Sequence, residues 1–495
     1  MKRYHLITFG CQMNQHDSDR IRDVLEEAGY APALGPDTAD LILLNTCSVR
    51  EKAEQKLRSE VGRLGMLKRE RPSLVLAVAG CVAQQEGERL VQRMPQLDVV
   101  IGPDQAAALP RLLAEVENGG LPQVQTRFDV EEPRFLPATL RPGHARVSDF
   151  VTIMKGCDER CTFCVVPTTR GPERYRPSDE VLDEVARRVA AGTREITLLG
   201  QTVDSYQDPL GKIPSSGPRD ELSSAGRPSS PRRDESEFPG LLRAIAERVP
   251  ELARLRYTSP HPRHLTSSLV LAHRDLPVLA RHVHMPVQSG SDRVLRRMLR
   301  RYSVAEYRER VGALCAAVPG MTLSTDVIVG FPGETRDDFA RTLELVQELG
   351  FIGVYGFKYS PRPFTPALKL EDDVDEAEKT ARLAQLFEVS ERLQSEHLAR
   401  LVGATEQVLV EGPGGRGGYT GRTARNEIVH FSASRDPTGE LVEVTIARAL
   451  KHSLQAIPTS PELVASGLPA PRGREPLEPA RAAAPSRPRA LPLVQ

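Results

Sequence analysis

DFVTIMKGCDERCTFCVVP, residues 149–167, runs from an apolar strand pattern directly into Cys157, Cys161 and Cys164, and no fourth cysteine follows. EITLLGQ, RLRYTS, RHVHMPVQ, LSTDVIVGF and GVYGFKYS come next, mostly separated by helical stretches such as SDEVLDEVARRVAAG and SVAEYRERVGALCAAV. Six short apolar strands with amphipathic helices between them predict a partial (β/α)6 barrel over residues 143–398, an α/β unit. Ligands of such barrels bind at the carboxyl ends of the strands. The first strand therefore delivers the three-cysteine loop to the active edge. Ser178, ahead of an acidic first turn, reads as a helix cap.

The same logic extends upstream. YHLITF leads into Cys11 and a helical stretch from Asp17 to Ala28, LILLN into Cys47 and SVREKAEQKLRSEVGRL, and LVLAVAG into Cys81 and AQQEGERLVQRM. These units predict a flavodoxin-like parallel sheet with helices on both faces over residues 1–125. Cys11, Cys47 and Cys81 are 36 and 34 residues apart, yet each follows its strand, so the fold gathers them at the ligand-binding edge. Three buried structural cysteines are the plainer alternative, because free Cys packs as a small apolar residue. Cys315, mid-helix among Ala, Leu and Val, fits that plainer reading. The glycine pattern that cradles phosphates is absent, so the flavodoxin-like pattern does not imply flavin.

Residues 207–237, QDPLGKIPSSGPRDELSSAGRPSSPRRDESE, carry almost nothing that could form a core and read as a disordered surface insertion. The Pro, Ala and Arg-rich tail 464–495 reads the same way. Residues 400–460 hold short β segments with glycine-bearing turns, consistent with a small β-barrel that serves either as an RNA-binding module or as a structural cap. Lys plus Arg and Asp plus Glu both total 66, so composition argues neither for nor against a nucleic-acid partner. No apolar run approaches the roughly 20 residues that span a bilayer, and no secretory signal opens the chain, so a cytoplasmic protein without membrane contact is expected. Seven cysteines, an odd number, favour metal or redox use over a disulfide framework in that compartment.

Four thiolates close a tetrahedral zinc site, whereas three leave a coordination position open. Cys157, Cys161 and Cys164 can hold three irons of a 4Fe-4S cluster and leave the fourth open. A catalytic zinc on three cysteines is the rival, and a thiol-disulfide pair of Cys161 and Cys164 is a third reading that leaves Cys157 without a role.

CDERCTFC resembles the C-x3-C-x2-C signature of radical S-adenosylmethionine enzymes, in which S-adenosylmethionine chelates the open iron. TFGCQMN at 8–14, NTCSVREKAEQK at 45–56 and AGCVAQQEG at 79–87 are similar to the N-terminal domain of the methylthiotransferases. That resemblance implies a second 4Fe-4S cluster on Cys11, Cys47 and Cys81. GQTVDSY at 200–206, HMPVQSGSDRVLRRM at 284–298, STDVIVGFPGET at 324–335 and GRTARNEIVHF at 421–431 extend the likeness through the barrel into a TRAM-like module. It covers about 1–455 apart from the insertion.

NTCSVREKAEQK, CVVPTTRG and HMPVQSGSD look most like the branch that converts N6-isopentenyladenosine, at position 37 beside the anticodon of tRNA, to its 2-methylthio derivative. The branches acting on threonylcarbamoyladenosine or on a ribosomal-protein aspartate share the cysteines. C2 of adenine has no leaving group, so installing sulfur there calls for radical activation and a separate sulfur donor. The family implies that the auxiliary cluster carries the sulfur, that one S-adenosylmethionine methylates it, and that a second yields the 5′-deoxyadenosyl radical at the other cluster. It further implies an isopentenylated anticodon stem-loop as partner, an external electron donor such as a flavodoxin or ferredoxin, and a monomer. The rival from another class is a noncatalytic RNA-binding protein that senses metal or redox state.

Secondary candidates surround these motifs. By the resemblance, Phe163 shelters the cofactor adenine, with core packing as its alternative. Gly200, Gln201 and Gln288 end strands on the active edge and are candidate cofactor contacts, with turn chemistry as theirs. Arg293, Arg296, Arg297, Arg300 and Arg301 follow helical spacing, predicting one cationic face for tRNA phosphates or a solvated face. His261, His264, His282 and His284 read as packing or hydrogen-bonding groups before metal ligands. FPGET, at 331–335, reads as a strand-to-helix turn.

Overall fold

The computed structural model describes residues 1–48, 51–131, 133, 135–136, 139, 145–213, 236–415 and 418–464. The first unit is a six-stranded parallel sheet of β1 (Arg3–Phe9), β2 (Ala31–Pro32), β3 (Leu41–Thr46), β4 (Val75–Gly80), β5 (Val99–Ile101) and β6 (Gln123–Gln125), in the order β2-β1-β3-β4-β5-β6. β3 and β4 are buried at every residue because helices cover both faces, which is why LILLNT and VLAVAG read as continuous apolar runs rather than alternating ones. Two separate apolar cores, one on each side of the sheet, hold this layer together. The sheet supplies the expected flavodoxin-like order; β2, β5 and β6 are too short to declare themselves in sequence. The first helix, Gln12–Glu27, starts five residues before Asp17, because Cys11 occupies its N-cap.

The central unit places β7 (Ser148–Thr152), β10 (Glu195–Leu199) and β11 (Arg254–Tyr257) in one parallel sheet, and β12 (His282–His284), β13 (Thr322–Val329) and β14 (Gly353–Lys358) in a second. Two-residue strands β8 (Met154–Lys155) and β9 (Arg174–Tyr175) pair antiparallel beside the cysteine loop. The two sheets meet through the bridge between Leu255 and Leu279 and curve around one continuous core of strand and helix side chains, giving the expected partial barrel. Cys315 packs partly buried against that core. FPGET does turn strand into helix: Thr335 caps Arg336–Leu349 in a reciprocal pair with Asp338.

Two expectations need correction. Ser178 is not the cap of its helix; it is the first helical residue, after Pro177, and its hydroxyl donates to Asp208 Oδ2 at 2.7 Å. The segment read as an insertion is therefore anchored at its ends, with Asp208, Ile213 and Ser236 buried. Residues 214–235 lie outside the described residues, as does the tail beyond 464.

A closed five-stranded barrel completes the chain, from β15 (Thr405–Pro413), β16 (Tyr419–Thr423), β17 (Ile428–Phe431), β18 (Leu441–Ala449) and β19 (Leu454–Pro458). It seats on the amino-terminal edge of the parallel strands. Arg254 Nη1 donates to Arg422 O at 3.1 Å, Arg256 Nη2 to Thr423 O at 3.0 Å, and Thr322 Oγ1 to Arg425 O at 3.1 Å. Glu195, the first residue of β10, pairs with both Arg254 and Arg256 from below. The cysteine loop, after β7, lies at the opposite edge.

Candidate active site at the facing sheet edges

In the first unit, Phe9, Thr46 and Gly80 are register partners across β1, β3 and β4, so the chain leaves three neighbouring strands side by side. Cys11, Cys47 and Cys81 lie within two residues of those exits. Cys47 N donates to Phe9 O at 3.1 Å. Gly10, at φ +139°, lets the first turn close over: a Cβ there would sit 2.5 Å from Cys47 Cβ. A hydrogen bond from the Cys47 thiol, aided by the Arg170 cation, lowers the Cys11 thiol to about 6, whereas burial pushes that of Cys81 up. Buried Asn14 fixes this corner, its Oδ1 3.3 Å from Cys11 Sγ while Asn45 Nδ2 donates to Asn14 O at 2.8 Å.

In the central unit, neighbours hold the loop from three sides. Cys157 N donates to Gly171 O at 3.1 Å, and Cys157 Sγ lies 3.1 Å from Thr202 Oγ1. Thr162 N donates to Met298 O at 3.0 Å and Thr162 Oγ1 to Arg297 O at 2.9 Å. Gly156 precedes the first cysteine at φ +81°, where a Cβ would meet Pro172 O at 1.9 Å. Burial raises the Cys157 and Cys164 thiols to about 12. Deprotonating these two therefore requires a compensating positive charge, which a metal centre supplies.

The donor sets suit iron–sulfur ligation in type. Both are all-thiol trios linked by hydrogen bond and charge: Cys11 feels Cys47, Cys81 feels Cys11, Cys157 feels Cys164 and Cys164 feels Cys161. In an iron–sulfur cluster each thiolate takes a different iron, so its ligands stay apart. The four histidines fail to form a metal group: His282 Nε2 and His284 Nδ1 both meet Ser324 Oγ, at 3.0 and 2.9 Å. His261 and His264 stand at the two ends of one short turn, edge to face, with centroids 6.1 Å apart.

Gln201 Oε1 accepts from Gly156 N at 2.6 Å, so Gln201 braces the cysteine loop from the end of β10. Gly200 is packed so closely that a Cβ would lie 2.4 Å from Met154 Cγ. Gln288 is buried at φ +67°, four residues after the second sheet's first strand ends at His284. Phe163 is partly buried and meets Phe331 edge to face at 6.5 Å.

The expected arginine stripe does not exist as drawn. Its helix ends at Arg297, Leu299 takes φ +55°, and Arg300 turns inward, where its Nη1 donates to Cys161 Sγ at 3.2 Å. The helical spacing was carried past a break that no Gly or Pro announces. Arg293 pairs with Asp338 and Arg297 Nε donates to Pro332 O at 3.0 Å, while Arg296 and Arg301 remain exposed.

Sequence reasoning also missed what fastens the two cysteine edges together. Arg170, six residues after Cys164, pairs with Asp17 at 2.6 Å, six residues after Cys11. Glu184, 1 % exposed, receives Arg20 from the first unit at 3.0 Å and Arg188 at 2.7 Å, with Arg176 also bound. His16 meets Thr152 Oγ1 at 3.2 Å, and Asp104 binds Lys155 at 3.2 Å together with Arg174. A narrow cavity lined by His16, Asp17, Asn45, Thr152, Lys155 and Glu184 lies within this seam. Arg170 stands inside CVVPTTRG, so the motif contained the signal without its contact.

A partial barrel of parallel strands with a three-thiol loop after the first strand defines a radical S-adenosylmethionine enzyme. Residues 151–346 match the model of the radical SAM superfamily, residues 3–102 that of the uncharacterized protein family UPF0004, and residues 399–459 that of the TRAM domain. The superfamily implies one 4Fe-4S cluster and S-adenosylmethionine. The fold resembles the cobalamin-dependent radical enzyme OxsB with TM-score 0.50 and 14% identity, over 80% of this chain and 56% of that one. The tRNA-2-methylthio-N(6)-dimethylallyladenosine synthase of Sorangium cellulosum is 61% identical over 100% of this chain and 99% of its own length. That of Acidithiobacillus ferrooxidans is 44% identical over 92% and 97%. The chain belongs to this family of tRNA methylthiotransferases.

Proposed function

We propose that this enzyme installs a methylthio group at C2 of N6-isopentenyladenosine 37 in tRNA, using two molecules of S-adenosylmethionine. The full-length 61% identity to a protein named for that product carries the reading. Cys157, Cys161 and Cys164 hold the cluster that binds S-adenosylmethionine; Cys11, Cys47 and Cys81 hold an auxiliary cluster that carries the sulfur. When bound, these groups supply reductive cleavage of S-adenosylmethionine and a transferable sulfur.

The chain's own residues set the geometry. Thr202, Gln201 and Gly171 fix the Cys157 end of the loop, and Arg300 offsets negative charge at Cys161. Phe163, Gly200 and Gln288 flank the S-adenosylmethionine site. The ion pairs of Glu184, Asp17 and Asp104 hold the two thiol trios face to face. Reacting groups held in one geometry avoid the entropy of a chance encounter.

Exposed Arg296 and Arg301, with the TRAM barrel, contact tRNA phosphates. Because that barrel seats at the edge opposite the cysteines, the RNA must extend along the side of the central unit. Among the described residues no helix is long and apolar enough to cross a membrane. The enzyme works as a cytoplasmic monomer with a flavodoxin or ferredoxin as electron donor, and its units are 1–125, 143–398 and 400–460.

The substrate assignment is tested by incubating reconstituted enzyme anaerobically with tRNA bearing either isopentenyladenosine or threonylcarbamoyladenosine. Mass spectrometry of the nucleosides should find the 2-methylthio product only with the former. Product from the latter alone would reassign the branch.

A further inference from the structure

Arg170 is 4 % exposed and carries a full charge into the seam between the thiol trios. Its Nη2 donates to Asp17 Oδ2 at 2.6 Å, and its charge acts on the thiols of Cys81 and Cys11 across the seam. The helix that begins at Cys81 packs against the short helix Val166–Arg170, so backbone as well as side chain brings Arg170 to the auxiliary trio. On its other side, Gly171 O accepts from Cys157 N at 3.1 Å, and Arg170 O accepts from Arg174 Nη2 at 2.6 Å. One residue therefore brings its charge to the auxiliary thiols while its successor anchors the other trio through the backbone.

We infer that Arg170 is a positioning residue that sets the reduction potential of the auxiliary cluster, with Asp17 as its partial counterweight. The inference rests on the reading of Cys11, Cys47 and Cys81 as cluster ligands. A thiolate-ligated cluster becomes more negative on taking up an electron. A buried cation beside the ligand sulfurs therefore favours the reduced form, because solvent does not screen its charge. The guanidinium does not deprotonate in proteins, so this charge is constant across working pH. Asp17 withdraws part of its effect. The Cys161 side of the other trio has its own cation in Arg300, so each centre is tuned by a separate arginine.

The test uses the full-length chain carrying Cys157→Ala, Cys161→Ala and Cys164→Ala, so that one cluster remains, and follows its reduction by electron paramagnetic resonance in a redox titration. Arg170→Met should shift the reduced-to-oxidised ratio at fixed potential about tenfold toward oxidised, about 59 mV downward for a one-electron couple. Asp17→Asn, which keeps an acceptor oxygen for Arg170, should shift it in the opposite direction. Arg170→Lys should fall between Arg170→Met and the parent. A merely structural ion pair predicts equal disturbance from both sides, without the opposite signs.

Unchanged potentials in Arg170→Met with iron retained would overturn the inference. So would a downward shift or no shift in Asp17→Asn, even if Arg170→Met loses its iron. A parent triple variant that binds no iron would remove the auxiliary-cluster reading itself, and this inference with it.

Discussion

Glu184→Gln should loosen the seam between the first unit and the barrel far more than a surface substitution could. The carboxylate is 1 % exposed and faces three guanidiniums, those of Arg20, Arg176 and Arg188. Burial pushes its carboxyl up, yet Arg176, Arg20 and Arg188 together hold it below the usual range. Removing the charge leaves three buried cations sharing a neutral amide, and breaking a buried ion pair from one side costs about 3–5 kcal/mol. At about 1.4 kcal/mol per tenfold, that is a change of about two to three and a half orders of magnitude in the opening equilibrium.

Hydrogen exchange followed by mass spectrometry reads this directly on Gln12–Glu27 and Ser178–Ala190, the helices that carry Arg20 and Glu184. Both should lose protection, whereas the small C-terminal barrel should not. Because the seam holds the thiol trios face to face, methylthio product should fall while cleavage of S-adenosylmethionine to 5′-deoxyadenosine persists. Arg20→Met combined with Glu184→Gln should cost less than the sum of the two, since they share one network. A change in protection below about tenfold in both helices would refute the assignment of Glu184 as the hub.

Other sites give independent checks. Burial raises the Glu427 carboxyl, but hydrogen bonds from His397 and Thr423 and the charge of Arg425 outweigh it and bring it from 4.5 to about 2. With a depressed folded value, its stabilisation is complete above pH 4.5 and lost as pH falls toward 2, so exchange at Tyr419–Phe431 should rise across that window and Glu427→Gln should abolish the pH response. Gly156→Ala places a Cβ 1.9 Å from Pro172 O and should reduce reconstituted iron from about eight per chain to about four, with the auxiliary cluster retained. Replacing exposed Arg296 and Arg301 by Ala should weaken tRNA binding and lower the logarithmic salt slope by about 2; an unchanged slope would exclude both from the phosphate contacts.

Much of this architecture was legible because it depends on local pattern. β3 and β4 are buried, continuous apolar runs that end immediately before Cys47 and Cys81, and the partly buried β1 ends two residues before Cys11, so their shared edge could be read from strand boundaries alone. The illegible part depends on backbone breaks and distant pairing. Arg300 keeps the helical spacing of Arg293 and Arg296, and only the positive φ of Leu299 turns it toward Cys161. Arg20 and Glu184 lie 164 residues apart on two exposed-looking helical patterns, and only the docking of the units buries them. Ser178 shows the same limit at short range: hydroxyl chemistry suited a cap, but Asp208, tied in from the next loop, took the hydroxyl instead.

The division of labour between the two thiol trios is the central claim. It is tested most directly by measuring 5′-deoxyadenosine and 2-methylthio nucleoside in parallel from the wild type, Cys47→Ala and Cys157→Ala, each reconstituted and supplied with isopentenylated tRNA. Cys47→Ala should keep forming 5′-deoxyadenosine without the methylthio product, and Cys157→Ala should form neither. Methylthio product from Cys47→Ala, or 5′-deoxyadenosine from Cys157→Ala, would contradict the assignment.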